Sequence, residues 1–93
     1  MATPSKTNYK YELVDLATDS TTIGHCILKK VRVHTAMSAH ACPILDGSTE
    51  LWSIPLSSAV GVEIDMGEVE IQNLVVDPDN AATGKVLVIY KPF

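Results

Sequence analysis

Apolar and polar residues alternate along most of the chain after residue 8, and no stretch shows the spacing of an amphipathic helix. Alternation at every second residue is typical of strands with one buried face, and valine, isoleucine, threonine and tyrosine favour strands. Turn-forming residues interrupt the pattern about every eight to twelve positions, the spacing expected of sandwiches and barrels. The pattern therefore predicts an all-β fold, an antiparallel β-sandwich of jelly-roll type with roughly seven or eight short strands.

The alternation changes phase inside the longest strand-like stretch. Within residues 23–35, the apolar set that includes Leu28 gives way to one that includes Val31. Lys29 and Lys30 stand at the change. A shift of one residue turns every later side chain to the opposite face, so we expect either a β-bulge at these lysines or a strand that changes sheets.

Three features of the second half predict further strands. Residues 60–66 show the cleanest alternation in the chain, which predicts a strand with one buried face. A second change of phase, at Asn73, divides the apolar run that follows. Residues 85–90 are rich in valine, leucine and isoleucine, so we expect a central strand that is buried on both faces.

The dipeptide Asp46-Gly47 lies between two apolar runs and predicts a β-hairpin. Glycine tolerates a positive φ there, and aspartate can bond to its own backbone. Pro43, in the first arm, has no N–H to donate, which places its strand at a sheet edge or beside one. Trp52, in the second arm, is expected in the core, with a position at an interface as the alternative.

Length and charge narrow the classes of function. The 93 residues are enough for one domain, which we assign to residues 9–93. A net charge of −4 argues against a nucleic-acid partner, because such proteins carry a basic footprint. No apolar run approaches the roughly 20 residues that span a bilayer, and the N-terminus has no apolar signal core. We therefore expect a protein that is made in the cytoplasm and binds no membrane.

Residues 1–8 are polar and are predicted to form a flexible N-terminal arm. An arm that orders only on binding can wrap around a neighbouring protein. The candidate binding residues of this arm are Thr3, Pro4, Ser5 and Lys6.

Cysteine and histidine residues offer a possible zinc site, at His25-Cys26 and at His40-Ala41-Cys42. Adjacent strand residues point to opposite faces, so we favour buried cysteines with histidines at the rim. Free thiols are favoured over a disulfide, because disulfides are rare in the cytosol. No nucleophile elbow, phosphate-binding glycine loop or zinc-protease motif occurs, so neither an enzyme nor a cofactor is expected.

The segment Asp77-Pro78-Asp79-Asn80 is rich in oxygen ligands and has some likeness to a calcium loop. It lacks the glycine and the distal glutamate of the EF-hand pattern. An Asx-type turn is the simpler interpretation of these residues, and no metal site is predicted.

Charged residues form two stripes along the predicted strands. The basic stripe consists of Lys29, Lys30 and Arg32. The acidic stripe consists of Glu63, Asp65, Glu68 and Glu70. Two interpretations stay open. The stripes are either two solvated faces of the fold or complementary surfaces that meet between subunits or between this protein and a shell, where they would set register.

The order of strands and turns resembles small β-sandwich structural proteins of tailed bacteriophages. The segments that carry this resemblance, within residues 23–91, are 44–49 (ILDGST), 61–65 (GVEID), 69–74 (VEIQNL) and 85–90 (KVLVIY). In those proteins a hairpin turn, a glycine turn and a C-terminal strand that alternates valine with other residues follow one another in this order. The Lys29 to Arg32 stripe has no match to a function in that family.

The resemblance implies a structural virion protein, most simply a capsid decoration (cement) protein that binds the major capsid protein and stabilises the shell. Proteins of that kind and size often act as trimers, so self-association is part of the expectation. The alternative is a fibre, tail or baseplate module that binds a receptor or a carbohydrate. Aromatic residues make up only 5% of the chain, which favours the structural interpretation over a sugar-binding one.

Overall fold

The computed structural model describes residues 9–18, 20–78 and 81–92. It contains six strands, which are β1 (Lys10–Asp15), β2 (Thr21–Thr35), β3 (Cys42–Asp46), β4 (Thr49–Ile54), β5 (Glu63–Val76) and β6 (Lys85–Pro92). The prediction of an all-β fold is confirmed, and within these ranges no helix could cross a membrane. The expected seven or eight strands are reduced to six because β5 continues through Asn73, where the sequence pattern had divided it.

All six strands belong to one antiparallel sheet with the order β1-β6-β2-β5-β3-β4. The two long strands, β2 and β5, form the centre, and β1 and β4 are the edges. The last strand, β6, lies between β1 and β2, which confirms its predicted interior position. Its predicted burial on both faces is wrong, because only Val86 and Val88 on one face are buried, whereas Leu87 and Ile89 on the other face are half-buried. The strands are thus arranged as a single sheet, and the two-layer jelly-roll sandwich stays a prediction.

One face of the sheet carries the hydrophobic core, and we call it the inner face. All six strands and three of the connecting segments contribute to a single buried cluster, which consists of Val14, Leu16, Cys26, Leu28, Val31, Val33, Met37, Cys42, Ile44, Ile54, Ile71, Leu74, Val76, Ala82, Val86 and Val88. Side chains from both edge strands are buried in this one cluster. The sheet must therefore curl around its inner face, because a flat sheet would leave those side chains in water.

Bulges produce the local bends of the two central strands. The pairing of β2 shifts between Leu28 and Lys30 against both of its neighbours, so the predicted bulge at the lysines is confirmed. Leu74 pairs with Gly24 and Ile71 pairs with Cys26, so β5 advances by three residues where β2 advances by two. This leaves Asn73 in a second bulge, at the change of phase in the sequence pattern. Bulges of this kind increase the twist of a strand and help a sheet to curl.

The prediction for Pro43 is met in its second form, whereas two expectations about burial and strand bounds need correction. Pro43 lies in β3, which is the neighbour of the edge strand β4 and pairs with β5 on its other side. Trp52 is 48% exposed and not in the core, because β4 has no strand beyond it in the described sheet. The strand predicted for residues 60–66 begins only at Glu63, and Val60 before it is 64% exposed.

Candidate interaction surface

The face opposite the core, which we call the outer face, is built from rows of directly paired residues. Two neighbouring rows cross β1, β6, β2 and β5 in that order. They are Leu13, Leu87, Arg32 and Glu63, and Tyr11, Ile89, Lys30 and Asp65. Directly paired residues of antiparallel strands point to the same face, so each row is a line of neighbouring side chains. The outer face is consequently apolar on β1 and β6 and charged on β2 and β5.

The apolar half of these rows, Tyr11, Leu13, Leu87 and Ile89, is called the outer patch. Tyr11 is 65% exposed and Leu13 is 46% exposed, whereas Leu87 and Ile89 are half-buried between their neighbours. An antiparallel sheet with one solvated face normally presents polar side chains there. Contiguous apolar side chains on such a face are typical of an interaction surface.

A shallow cavity of about 270 Å³ adjoins the outer patch. Its lining consists of Arg32, Val33, His34, Val60 and Leu87. This volume is below that of ordinary small-molecule sites, which begin at about 300 Å³. The lining combines apolar walls with one guanidinium and one imidazole. This lining suits an apolar side chain of a partner protein with an acidic group next to it.

The charged half of the outer face is paired within the chain. Glu63 lies 3.6 Å from the Lys30 amine and 3.6 Å from the Arg32 guanidinium. Asp65 accepts a hydrogen bond of 2.8 Å from the backbone N–H of Gly67. The structure therefore brings the predicted basic and acidic stripes together on neighbouring strands of one molecule. Their role between subunits stays a prediction.

The rest of the acidic stripe is engaged in the same way. Glu70 lies 2.8 Å from the His25 ring, and Glu68 lies 3.5 Å from the Lys91 amine. Glu68 also accepts a hydrogen bond from the Tyr9 hydroxyl. Surface ion pairs of this type contribute about 0–1 kcal/mol each, so their main effect is to hold side chains in place.

Tyr9 joins three parts of the sheet, a role that the sequence pattern did not indicate. Its ring lies under the Lys91 amine, 4.6 Å from ring centroid to nitrogen, and its hydroxyl reaches Glu68 of β5. That hydrogen bond is the main cause that lowers the pKa of Glu68, with Lys91 and Lys29 adding to it. The same bond raises the pKa of Tyr9. No sequence signal could have identified this contact, since its partners are far apart in the chain.

The two cysteines are free thiols with no role at the surface. Burial raises the pKa of Cys26 to about 11 and that of Cys42 to about 12, so both stay protonated near neutral pH. His25 is exposed while Cys26 is buried, which confirms that the two point to opposite faces. Among residues 9–18, 20–78 and 81–92, no three potential ligands from histidine, cysteine, aspartate and glutamate lie close enough to hold a metal ion.

Two predicted features fall outside the described residues. The candidate arm residues Thr3, Pro4, Ser5 and Lys6 belong to the first eight positions, and Asp79 and Asn80 belong to the calcium-like segment. Both predictions therefore stand as they were made from the sequence.

A second exposed region lies at the opposite edge of the sheet. Leu51 and Trp52 on β4 are both exposed, and Leu56 follows in the next turn. Trp52 is paired with Ile44 of β3, which is buried, so the indole extends the core face over the edge. The fold thus presents apolar side chains at both edges of the sheet.

Comparison with protein-family models, with curated proteins and with solved structures returned no match to this chain.

Proposed function

We propose that this protein is a non-enzymatic structural module that docks through its outer face on a larger protein assembly, in the manner of a capsid decoration protein. The observation that carries the proposal is the outer patch, where Tyr11 and Leu13 are exposed in line with Leu87 and Ile89. A solvated sheet face has no folding reason to present this row of apolar side chains. Its burial against a partner would be favourable by about 25 cal/mol per Å².

The surroundings of the outer patch support docking by a protein surface. Glu63 lies within ion-pair distance of both Lys30 and Arg32 beside the patch, so charged side chains border the apolar residues on that side. Protein interfaces have this arrangement, with apolar residues at the centre and charged residues at the periphery. The cavity at Val60 can receive one side chain of the partner.

The more specific parts of the proposal rest on the resemblance within residues 23–91. They are a place in the virion, the major capsid protein as partner, and a jelly-roll sandwich as the finer description of the fold. The curl of the sheet around one core supports a sandwich-like arrangement. Many copies on one shell would act together, so modest affinity at each site would be enough.

The docking proposal is tested by co-sedimentation with virus particles from the source of this chain, assembled without the protein. Purified wild-type protein should pellet with the particles and saturate at a fixed ratio. Val60→Asp places a charge beside the cavity without touching the sheet, and it should weaken pelleting by about tenfold or more. Leu51→Asp, the control at the opposite edge, should pellet like the wild type. Wild-type protein that stays in the supernatant at all concentrations would refute docking on the shell.

A carbohydrate-binding module is the second candidate, favoured by two exposed aromatic rings. Tyr11 and Trp52 are the side chains on which a sugar ring could stack. Screening of the protein on a glycan array, with Trp52→Ala and Tyr11→Ala as variants, tests it. Saturable binding that one of these variants abolishes, without loss of thermal stability, would establish this function in place of shell docking.

A further inference from the structure

The edge strand β1 has a definite set of backbone groups that face away from the sheet. The Leu16 N–H donates to the Gly84 carbonyl at 3.0 Å, directly beyond the β1–β6 register. Hydrogen-bonded and non-hydrogen-bonded pairs alternate in an antiparallel ladder. The even residues Lys10, Glu12 and Val14 therefore bond to β6, and the N–H and C=O groups of Tyr11 and Leu13 point outward. In the described sheet no strand lies on that side of β1.

We propose that β1 of a second copy of this chain pairs antiparallel with this edge, with Tyr11 opposite Tyr11 on the two-fold axis. In this register Lys10 of each copy lies opposite Glu12 of the other. The backbone pairs are Tyr11 with Tyr11 and Tyr9 with Leu13, and both use outward-facing groups. Lys10 and Glu12 then form non-hydrogen-bonded pairs, in which side chains are closest, so both opposite-charge pairs are favourable.

The neighbouring registers are unfavourable for identifiable reasons. If the two-fold axis moves by one residue along β1, Lys10 lies opposite Lys10, or Glu12 lies opposite Glu12. Like charges directly opposite each other destabilise a strand pair. The register with Leu13 opposite Leu13 would pair Asp15 as a strand residue, whereas Asp15 leads into a turn in which its carbonyl accepts from the Thr18 hydroxyl at 2.7 Å and its carboxylate from the Ala17 N–H at 2.9 Å. Registers that pair an odd-numbered residue with an even-numbered one would place an outer-face side chain opposite an inner-face side chain.

The other edge of the sheet has no comparable complementarity. Strand β4 carries a single charged residue, Glu50, so two copies of it offer no opposite charges. Charges on edge strands often protect against pairing, and Lys10 and Glu12 could serve that purpose alone. Reversal of one charge distinguishes these two roles. Charges that only prevent pairing have the same effect whichever sign each position carries, whereas charges that select a register must be opposite across the strand pair.

The pairing deepens the proposed function, and its biological meaning rests on that function. On the outer face, Tyr11 of one copy would meet Tyr11 of the other. The two outer patches would become one continuous apolar surface across the two-fold axis. A closed two-fold interface gives a dimer, in contrast to the trimer expected from the phage resemblance.

The test uses four forms of the full-length chain, compared by analytical ultracentrifugation over a wide concentration range. Lys10→Glu and Glu12→Lys should each weaken dimerisation by about tenfold or more, since each converts both pairs to repulsion. An equimolar mixture of these two variants should recover dimers, because the mixed dimer restores both opposite-charge pairs. Glu50→Lys changes the same charge at the other edge and should dimerise like the wild type.

Several results would overturn the pairing. They are a wild-type monomer at every concentration, a wild-type trimer, or a mixture that associates no better than its components. Thermal unfolding of each variant checks the fold, and the recovery in the mixture cannot come from misfolded chains. Particle pelleting is a separate measurement. If dimerisation fails while pelleting persists, only the pairing is wrong. If dimers form but nothing pellets, only the docking proposal is wrong.

Discussion

The two halves of the outer face differ in how their side chains are satisfied. On β2 and β5, Lys30 and Arg32 contact Glu63, and Asp65 binds a backbone N–H of its own strand. On β1 and β6, the apolar side chains meet one another across one strand pair and then face water, with Tyr11 the most exposed of them. The charged half has its partners within the molecule, whereas no described residue packs over Tyr11 and Leu13 closely enough to bury them. Rows of charge therefore do not by themselves mark an interface.

The largest expected effect separates the core from the outer patch. Leu28→Ala should lower the free energy of unfolding by about 2–5 kcal/mol, since it leaves a cavity in a fully buried site. Leu13→Ala should change it by only about 0.5 kcal/mol, as expected for a surface position. Chemical denaturation of both variants measures the difference. A cost for Leu13→Ala equal to that of Leu28→Ala would mean that the outer patch serves the fold.

Proline substitutions give the next largest effect and test the direction of the β1 backbone groups. Glu12→Pro removes the N–H that faces β6 and leaves the Val88 carbonyl without it, at a cost of about 1–3 kcal/mol. Leu13→Pro removes an outward N–H and should cost less than about 1 kcal/mol, because proline is tolerated on an edge strand at such a position, while it abolishes pairing between copies. Thermal unfolding and ultracentrifugation provide the two measurements. Equal destabilisation by both prolines would show that the alternation of β1 is assigned incorrectly.

In the charged half, smaller effects are expected. Glu63→Gln removes the shared partner of Lys30 and Arg32, and surface pairs of this type contribute about 0–1 kcal/mol. Self-association should not change, because the pairs are internal to one molecule. Denaturation and ultracentrifugation at low and high salt check both statements, with Glu50→Gln as the control. A loss of association confined to Glu63→Gln would restore the stripes as a subunit interface.

The smallest effect concerns the contact of Tyr9 with Glu68, through its dependence on pH. The pKa of Glu68 in the folded protein lies below its ordinary value of 4.5. The stabilisation of the fold by this carboxylate is therefore present above pH 4.5 and is lost as the pH falls through the lowered pKa. The Tyr9 pKa is raised above 10.0, so the tyrosine's contribution is lost as the pH rises through the raised pKa. Tyr9→Phe should flatten the melting temperature profile in both ranges. A profile identical to that of the wild type would show that the hydrogen bond is absent in solution.

Local patterns predicted the parts of the fold that depend on neighbours in sequence. The change of hydrophobic phase at Lys29 correctly predicted a bulge, because a bulge keeps apolar residues on one face of a continuous strand. The same change at Asn73 was interpreted as a break, although the structure has a bulge within β5 there. The hairpin at Asp46-Gly47 was likewise correct, since positive φ at Gly47 is a local requirement of that turn. For the candidate surface, the sequence identified the charged residues and missed the outer patch.

The failures share a physical cause. The alternation of β1 shows which residues share a face, but burial of Tyr11 and Leu13 depends on whether another layer covers that face. Trp52 follows the same reasoning, because its exposure results from the position of β4 at the end of the sheet. Both depend on the order of the strands, which no pattern within a single strand encodes.

By itself, the sequence determined an all-β chain, its bulges and turns, and the chemistry available at its surface, because these follow from the spacing of side chains along one strand. Only the tertiary structure decided that the strands join in one sheet, that β1 and β4 form its edges, and that Lys30 and Arg32 of the basic stripe lie beside Glu63 of the acidic stripe. These outcomes depend on pairing between residues that are distant in sequence, such as Glu68 with Tyr9 and Arg32 with Glu63. Such pairs form when the whole sheet closes around its core.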